Sequence, residues 1–133
     1  MSGPGPGPLI RSIDHFVLTC ADVEATIGFY VRVLGMTAES FAGGRRAISF
    51  GSQKINLHQA SREFEPKARV ATAGSGDFCL LSDVPVAEIA THLAAEGVAI
   101  IEGPVAKTGA AGPLLSIYFR DPDGNLVEVS NVV

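Results

Sequence analysis

A chain of 133 residues, 47% hydrophobic and 18% charged, is large enough for one buried core, and its composition excludes long intrinsic disorder. Its formal net charge of −4, with no basic cluster beyond Arg45-Arg46, excludes the electrostatic footprint of a nucleic-acid binder or of a membrane-surface patch. A small-molecule partner is the expectation that remains.

The opening Met1-Ser2-Gly3-Pro4-Gly5-Pro6-Gly7-Pro8 has nothing to bury and predicts a disordered tail over residues 1–11. It lacks the basic and apolar regions of a signal peptide, and no apolar stretch is long enough to span a bilayer, so the expected location is cytoplasmic. Cys20 and Cys79 form no CxxC pattern and are expected to be two buried thiols.

The patterned chain starts near Ile13, where Ile13-Asp14-His15-Phe16-Val17-Leu18-Thr19 predicts a strand. Asp22 is an N-cap for a helix carrying Val23, Ile27, Tyr30, Val31 and Leu34 at helical spacing, and Gly35 ends it. Three strands follow, about 36–41, 46–50 and 54–59, separated by Gly43-Gly44 and Gly51-Ser52-Gln53. After a polar linker over 60–75 the order recurs: a strand over 77–82, a helix over 85–96, Gly97, then strands near 98–102, 114–120 and 126–130. Gly97 lies 62 residues after Gly35, and Asp77 lies 62 after His15, so the two units repeat without a gap. Glu128 lies 70 after His58, which puts eight extra residues into a loop from Gly103 to Pro113, a lid or a passive surface excursion.

The reading is therefore α+β, with paired βαβββ modules forming a cup-shaped open sheet and helices outside. Module one spans 12–59 and module two 76–131, within a single domain over 12–131. Strand parity puts Phe16, Leu18, Ile55, Leu57, Phe78, Leu80, Val127 and Val129 on the apolar faces. The opposite faces carry His15, Val17, Thr19; Lys54, Asn56, His58; Asp77, Cys79, Leu81; and Leu126, Glu128, Ser130. So many titratable groups on one side call for a metal, a ligand or mutual pairing. Two histidines and carboxylates on strands of both modules are the donors a divalent metal takes. Asp121-Pro122-Asp123-Gly124-Asn125 is turn chemistry and lacks the spaced ligands of a calcium loop. Ser75 and Ser116 have no nucleophile elbow, so serine hydrolysis is not supported.

The segments Ile13-Asp14-His15-Phe16, Phe29-Tyr30-Val31-Arg32-Val33-Leu34-Gly35, Lys54-Ile55-Asn56-Leu57-His58, Glu63-Phe64-Glu65-Pro66-Lys67-Ala68 and Phe119-Arg120-Asp121-Pro122-Asp123-Gly124-Asn125-Leu126-Val127-Glu128 resemble the signatures of the vicinal oxygen chelate superfamily. That group includes glyoxalases, extradiol dioxygenases and bleomycin-type resistance proteins, and its small glyoxalase-domain proteins are the nearest branch. The resemblance implies that His15, His58 and Glu128 stand at three of four metal-ligand positions, with the fourth on Asp77, where glyoxalases commonly carry His, Gln or Glu. It also implies a homodimer. A two-histidine, one-carboxylate set suits Fe, Mn, Zn or Ni. Asp77 is the candidate base or further ligand, its alternative a strand-start cap or surface charge. Lys54, Asn56 and Tyr118 are candidate substrate contacts, although Lys54 and Asn56 could be solvated and Tyr118, with Arg120, could pack at the rim. The expected function is a divalent-metal-dependent lyase, isomerase or dioxygenase acting on a small substrate with vicinal oxygens. The alternative is a metal-free protein that binds and sequesters an antibiotic or other natural product.

Overall fold

The computed structural model describes residues 5–133. Of the tail expected over 1–11, residues 1–4 lie outside the described residues, and 5–11 are exposed and carry no helix or strand. Module one is β1 (His15–Cys20), α1 (Val23–Leu34), β2 (Thr37–Phe41), β3 (Arg45–Phe50) and β4 (Gln53–Gln59). Module two is β5 (Asp77–Leu81), α2 (Val86–Ala95), β6 (Glu102–Gly109), β7 (Gly112–Arg120) and β8 (Leu126–Val132).

Local chemistry sets these limits. The Asp22 side chain accepts from the Ala25 N–H at 3.2 Å, filling a helix-start donor that has no backbone partner. Gly35 takes φ 69°, a left-handed conformation that glycine adopts without strain, and Met36 N–H then closes back on Tyr30 O at 3.2 Å. Because a helix crosses between them, β1 and β4 run parallel, as do β5 and β8. The strand orders are β1-β4-β3-β2 and β5-β8-β7-β6, two open sheets that do not close into a barrel.

The apolar faces of both sheets meet in one core. Leu18, Ile48, Ile55 and Leu57 from the first sheet cluster with Ile117, Phe119, Val127 and Val129 from the second, under residues of both helices. Each such side chain, fully buried, contributes about 1.5–3 kcal/mol. Phe16 packs on Phe78 with ring centroids 5.1 Å apart, and Phe29 on Phe119 at 6.3 Å. The polar faces are the opposite surfaces of the same sheets, so both turn away from this shared core.

The Asp121–Asn125 turn ties the modules together, as a turn and not as a cation loop. Asp121 accepts from the backbone N–H groups of Asp123 (2.9 Å) and Asn125 (3.0 Å), from Asn125 Nδ2 (2.7 Å) and from the buried Tyr30 hydroxyl of α1 (2.8 Å). Asn125 Oδ1 in turn accepts from Gly76 N–H at 2.7 Å, fixing the start of β5.

Three expectations fail. Of the strand expected over 98–102 only Glu102 is strand, the first residue of β6, and the excursion expected over 103–113 is mostly β6 and its tight hairpin into β7. Gly103 and Pro104 look like loop residues, but β6 is an edge strand with a bulge between Glu102 and Val105, where a missing ladder N–H is tolerated. Cys20 is buried as expected, whereas Cys79 is exposed, because it lies on the outward polar face of β5.

Candidate functional site

On module one's polar face, His15 opens β1 and keeps 42% of its side chain exposed. Its Nδ1 lies 2.7 Å from Asp14 Oδ1, and with the proton on Nδ1 the Nε2 lone pair is left open. That hydrogen bond is the main reason the Asp14 carboxyl is held below its ordinary range, against a smaller opposing effect of burial. Lys54 faces His15 in the parallel ladder and sets its Nζ 4.0 Å from the centre of the Phe41 ring. Asn56 pairs with Val17, and its Oδ1 is buried without a hydrogen-bond partner among the described residues.

His58 sits elsewhere. Its ladder partner is Thr19, four positions from His15, or roughly 13 Å along the strand. It is buried, edge-on to Phe64 at 5.6 Å, with the Arg45 guanidinium 4.4 Å from the centre of that same ring. Burial first, and then the Arg45 charge, push its imidazole below the ordinary value against the pull of Glu63.

Module two's polar face is more densely bonded. Asp77 opens β5 and is exposed. Cys79, Glu128, Tyr118 and Glu102 are successive ladder partners across β5, β8, β7 and β6. Ser130 Oγ donates to Glu128 Oε2 at 3.2 Å, lies 2.6 Å from Ser116 Oγ and 3.2 Å from Cys79 Sγ. Tyr118 is pushed up to about 12 by burial and then by the neighbouring Glu128 carboxylate. Burial likewise raises the Cys79 thiol, and Ser130 opposes it.

The ladders also correct the repeat register. Lys54 is opposite His15 and Leu126 is opposite Asp77, an offset of 72 between the last strands. Glu128 therefore occupies the place of Asn56, and Ser130 the place of His58. The extra residues of module two lengthen β6 and β7, which is why a count that assigned them to a loop was off by two.

His15, Lys54, His58 and Asp77 line one cleft of about 950 Å³, together with Cys79 and the linker residues 66–68 and 70–72. Asn56, Tyr118 and Glu128 are not among its walls. Among the described residues no three of His, Cys, Asp and Glu gather as a metal site, so a single chain does not bring His15, His58 and Glu128 together. The donor types still suit a divalent ion: an exposed imidazole oriented by Asp14, and exposed or half-buried carboxylates at Asp77 and Glu128. Sequence reasoning passed over Ser116 and Ser130 as functional residues, and over the packing of Phe64 and Arg45 around His58. The serines were legible, since Ser130 shares Glu128's face by period 2, whereas nothing local announced that the linker folds onto β4.

Comparison with known proteins gives consistent results. The family model described as Glyoxalase/Bleomycin resistance protein/Dioxygenase superfamily matches residues 12–129. The chain is 54% identical to the Glyoxalase domain-containing protein RDO1 of Mycosarcoma maydis over 92% of this chain and 69% of that protein. It is 50% identical to the Virulence protein STM3117 of Salmonella typhimurium over 94% of this chain and 87% of that one. The crystal structure of that virulence protein superposes with a TM-score of 0.93, covering 95% of this chain and all of the other. A lactoylglutathione lyase from Agrobacterium tumefaciens has the same fold at 26% identity and a TM-score of 0.72, covering 93% and 96% of the two chains.

Proposed function

Because the chain belongs to the Glyoxalase/Bleomycin resistance protein/Dioxygenase superfamily, we propose that it is a divalent-metal-dependent enzyme acting on a small substrate with neighbouring oxygen atoms. The observation that carries this reading is the arrangement at His15. Its ring starts the edge strand, is held by Asp14 through Nδ1, and leaves Nε2 open at the mouth of the cleft. The donors that would hold the ion are His15 and Glu128, donor types that fit Fe, Mn, Zn or Ni. A bound ion would supply Lewis-acid polarisation of the substrate oxygens.

His58 is too far along the ladder from His15 to join it on one ion, and it serves this reading as a wall of the cleft. The chain's own residues supply binding and proton handling. Lys54 at the cleft wall balances the charge of an oxyanion, and Phe16, Leu18, Phe50 and Phe78 exclude water around it. Asp77, exposed at the cleft, is the candidate base for a substrate C–H. Asn56 and Tyr118 remain candidate substrate contacts on the two polar faces.

Since those faces turn away from the shared core, we infer that the donor set is completed between two copies, module one of one chain facing module two of the other. Zinc loading of purified His15→Ala, Glu128→Ala and their mixture tests this. Each variant alone is expected to lose the ion. Co-refolded in equal amounts they should recover about one quarter of the wild-type content, because half the dimers are mixed and each holds one intact site. Undiminished metal in both single variants overturns the donor assignment, and an empty mixture overturns the shared site.

A second reading rests on the apolar share of the cleft wall, Phe16, Leu18, Phe50, Phe78 and Leu80. An antibiotic-binding protein from Streptomyces, TnmS3, has the same fold at 21% identity, with a TM-score of 0.73 and coverage of 95% and 99%. Sequestration of an aromatic natural product without metal is this reading, and tight binding of such a compound to a chain that takes up no ion decides for it.

A further inference from the structure

We propose that Ser130, backed by Ser116, is a positioning residue for the Glu128 carboxylate, the two forming a cradle of buried hydroxyls. This rests on the reading that Glu128 is a metal donor. An ionised carboxylate only accepts hydrogen bonds, so the contact at 3.2 Å commits the single Ser130 proton to Glu128 Oε2. Ser130 Oγ must then accept along its 2.6 Å contact with Ser116, whose hydroxyl is the donor there. The chain runs in one direction, Ser116 to Ser130 to Glu128, and each bond polarises the next. Cys79 Sγ lies 3.2 Å from the same Ser130 Oγ, and Tyr118 is the ladder partner of Glu128 on β7.

Both serines are fully buried, although they lie on a polar sheet face whose neighbours Leu81 and Cys79 are exposed. Two buried hydroxyls cost free energy unless bonded, and these are bonded to each other and to Glu128.

The repeat provides an internal control. At the corresponding places module one has Val17 for Cys79, Asn56 for Glu128, Ala47 for Tyr118 and His58 for Ser130, by the pairings of its own ladders. No hydroxyl or thiol surrounds Asn56 at those places, and its Oδ1 is left without a partner among the described residues. The donors accompany the carboxylate and are absent where the carboxylate is absent. That pattern assigns them to holding Glu128, not to building the sheet.

The outer groups that orient metal ligands typically account for about 10- to 100-fold in metal affinity. Ser130→Ala should therefore weaken Zn(II) binding to the full-length protein by about that factor. The thermal midpoint of the metal-free protein should change little, and the visible spectrum of the Co(II) form should change as the carboxylate reorients. Ser116→Ala, which leaves the Ser130 bond but removes its buttress, should give a smaller loss of the same sign. Wild-type Zn(II) affinity in Ser130→Ala, alongside lost binding in Glu128→Ala, overturns the cradle and leaves the metal reading intact. If Ser130→Ala does not fold, Ser116→Ala decides, and unchanged affinity there overturns the proposal. A wild-type protein that takes up no Zn(II) or Co(II) removes the reading beneath it, which is a different result.

Discussion

Replacing Tyr30 by Phe tests whether the link between α1 and the last turn holds the two modules as one unit. Tyr30 is fully buried and its hydroxyl donates to Asp121 at 2.8 Å; Phe fills nearly the same volume, so the change removes mainly that bond. A hydrogen bond to a charged group contributes about 1.5–3 kcal/mol, and the three other donors on Asp121 keep the carboxylate from being stranded. For a chain of 133 residues the unfolding entropy is about 0.28 kcal/mol/K, so the midpoint should fall by about 5–11 °C. Urea unfolding should show a lower midpoint with an unchanged slope. Alkaline titration adds a signature, since burial and Asp121 hold Tyr30 well above its ordinary value of 10.0. The unfolded chain then loses the proton first, so the stability present below pH 10.0 declines as the pH rises beyond it. Tyr30→Phe should lose most of that decline, keeping the part due to Tyr118, the other tyrosine. A Tyr30→Phe protein within about 0.5 kcal/mol of wild type, or strict additivity with Asp121→Asn, would refute the link.

Other consequences follow from the same contacts. Opening His58 to water by Phe64→Ala should move its NMR titration up toward the ordinary 6.5, and Arg45→Gln should move it in the same direction by less. In the wild type the unfolded chain binds that proton more readily, so stability should fall as pH drops below 6.5; urea midpoints from pH 8 to 5 that ignore this histidine count against its burial. Asp14→Ala should weaken Zn(II) binding about 10-fold while leaving the folded spectrum unchanged, because only the imidazole's orientation is lost; isothermal titration measures it. Gly103→Ala places a Cβ against the Ser116 carbonyl at φ 105°, and should cost at least about 1–3 kcal/mol in chemical denaturation, whereas alanine tolerated there would mean the bulge can shift.

How much of this was legible in the sequence depends on the range of the forces involved. The βαβββ order is written locally: Asp22 and Gly35 cap α1, period-2 alternation marks β1 and β4, and the 62-residue repeat carries the pattern into module two. β6 was missed because Gly103-Pro104 is a strand breaker by local chemistry, and only its place at the sheet edge makes it tolerable.

The candidate site divides along the same line. Parity put His15, Asp77 and Glu128 on the polar faces, but it cannot say how far apart along a ladder two residues stand on different strands. That distance depends on register, and the register of β1 on β4 is set by which apolar residues meet beneath the helix, Leu18 beside Leu57 and Phe16 beside Ile55. The same pairing that buries those side chains carries His58 away from His15 and under Phe64, so core packing, and not the chemistry of the histidines, sets how far apart the two stand.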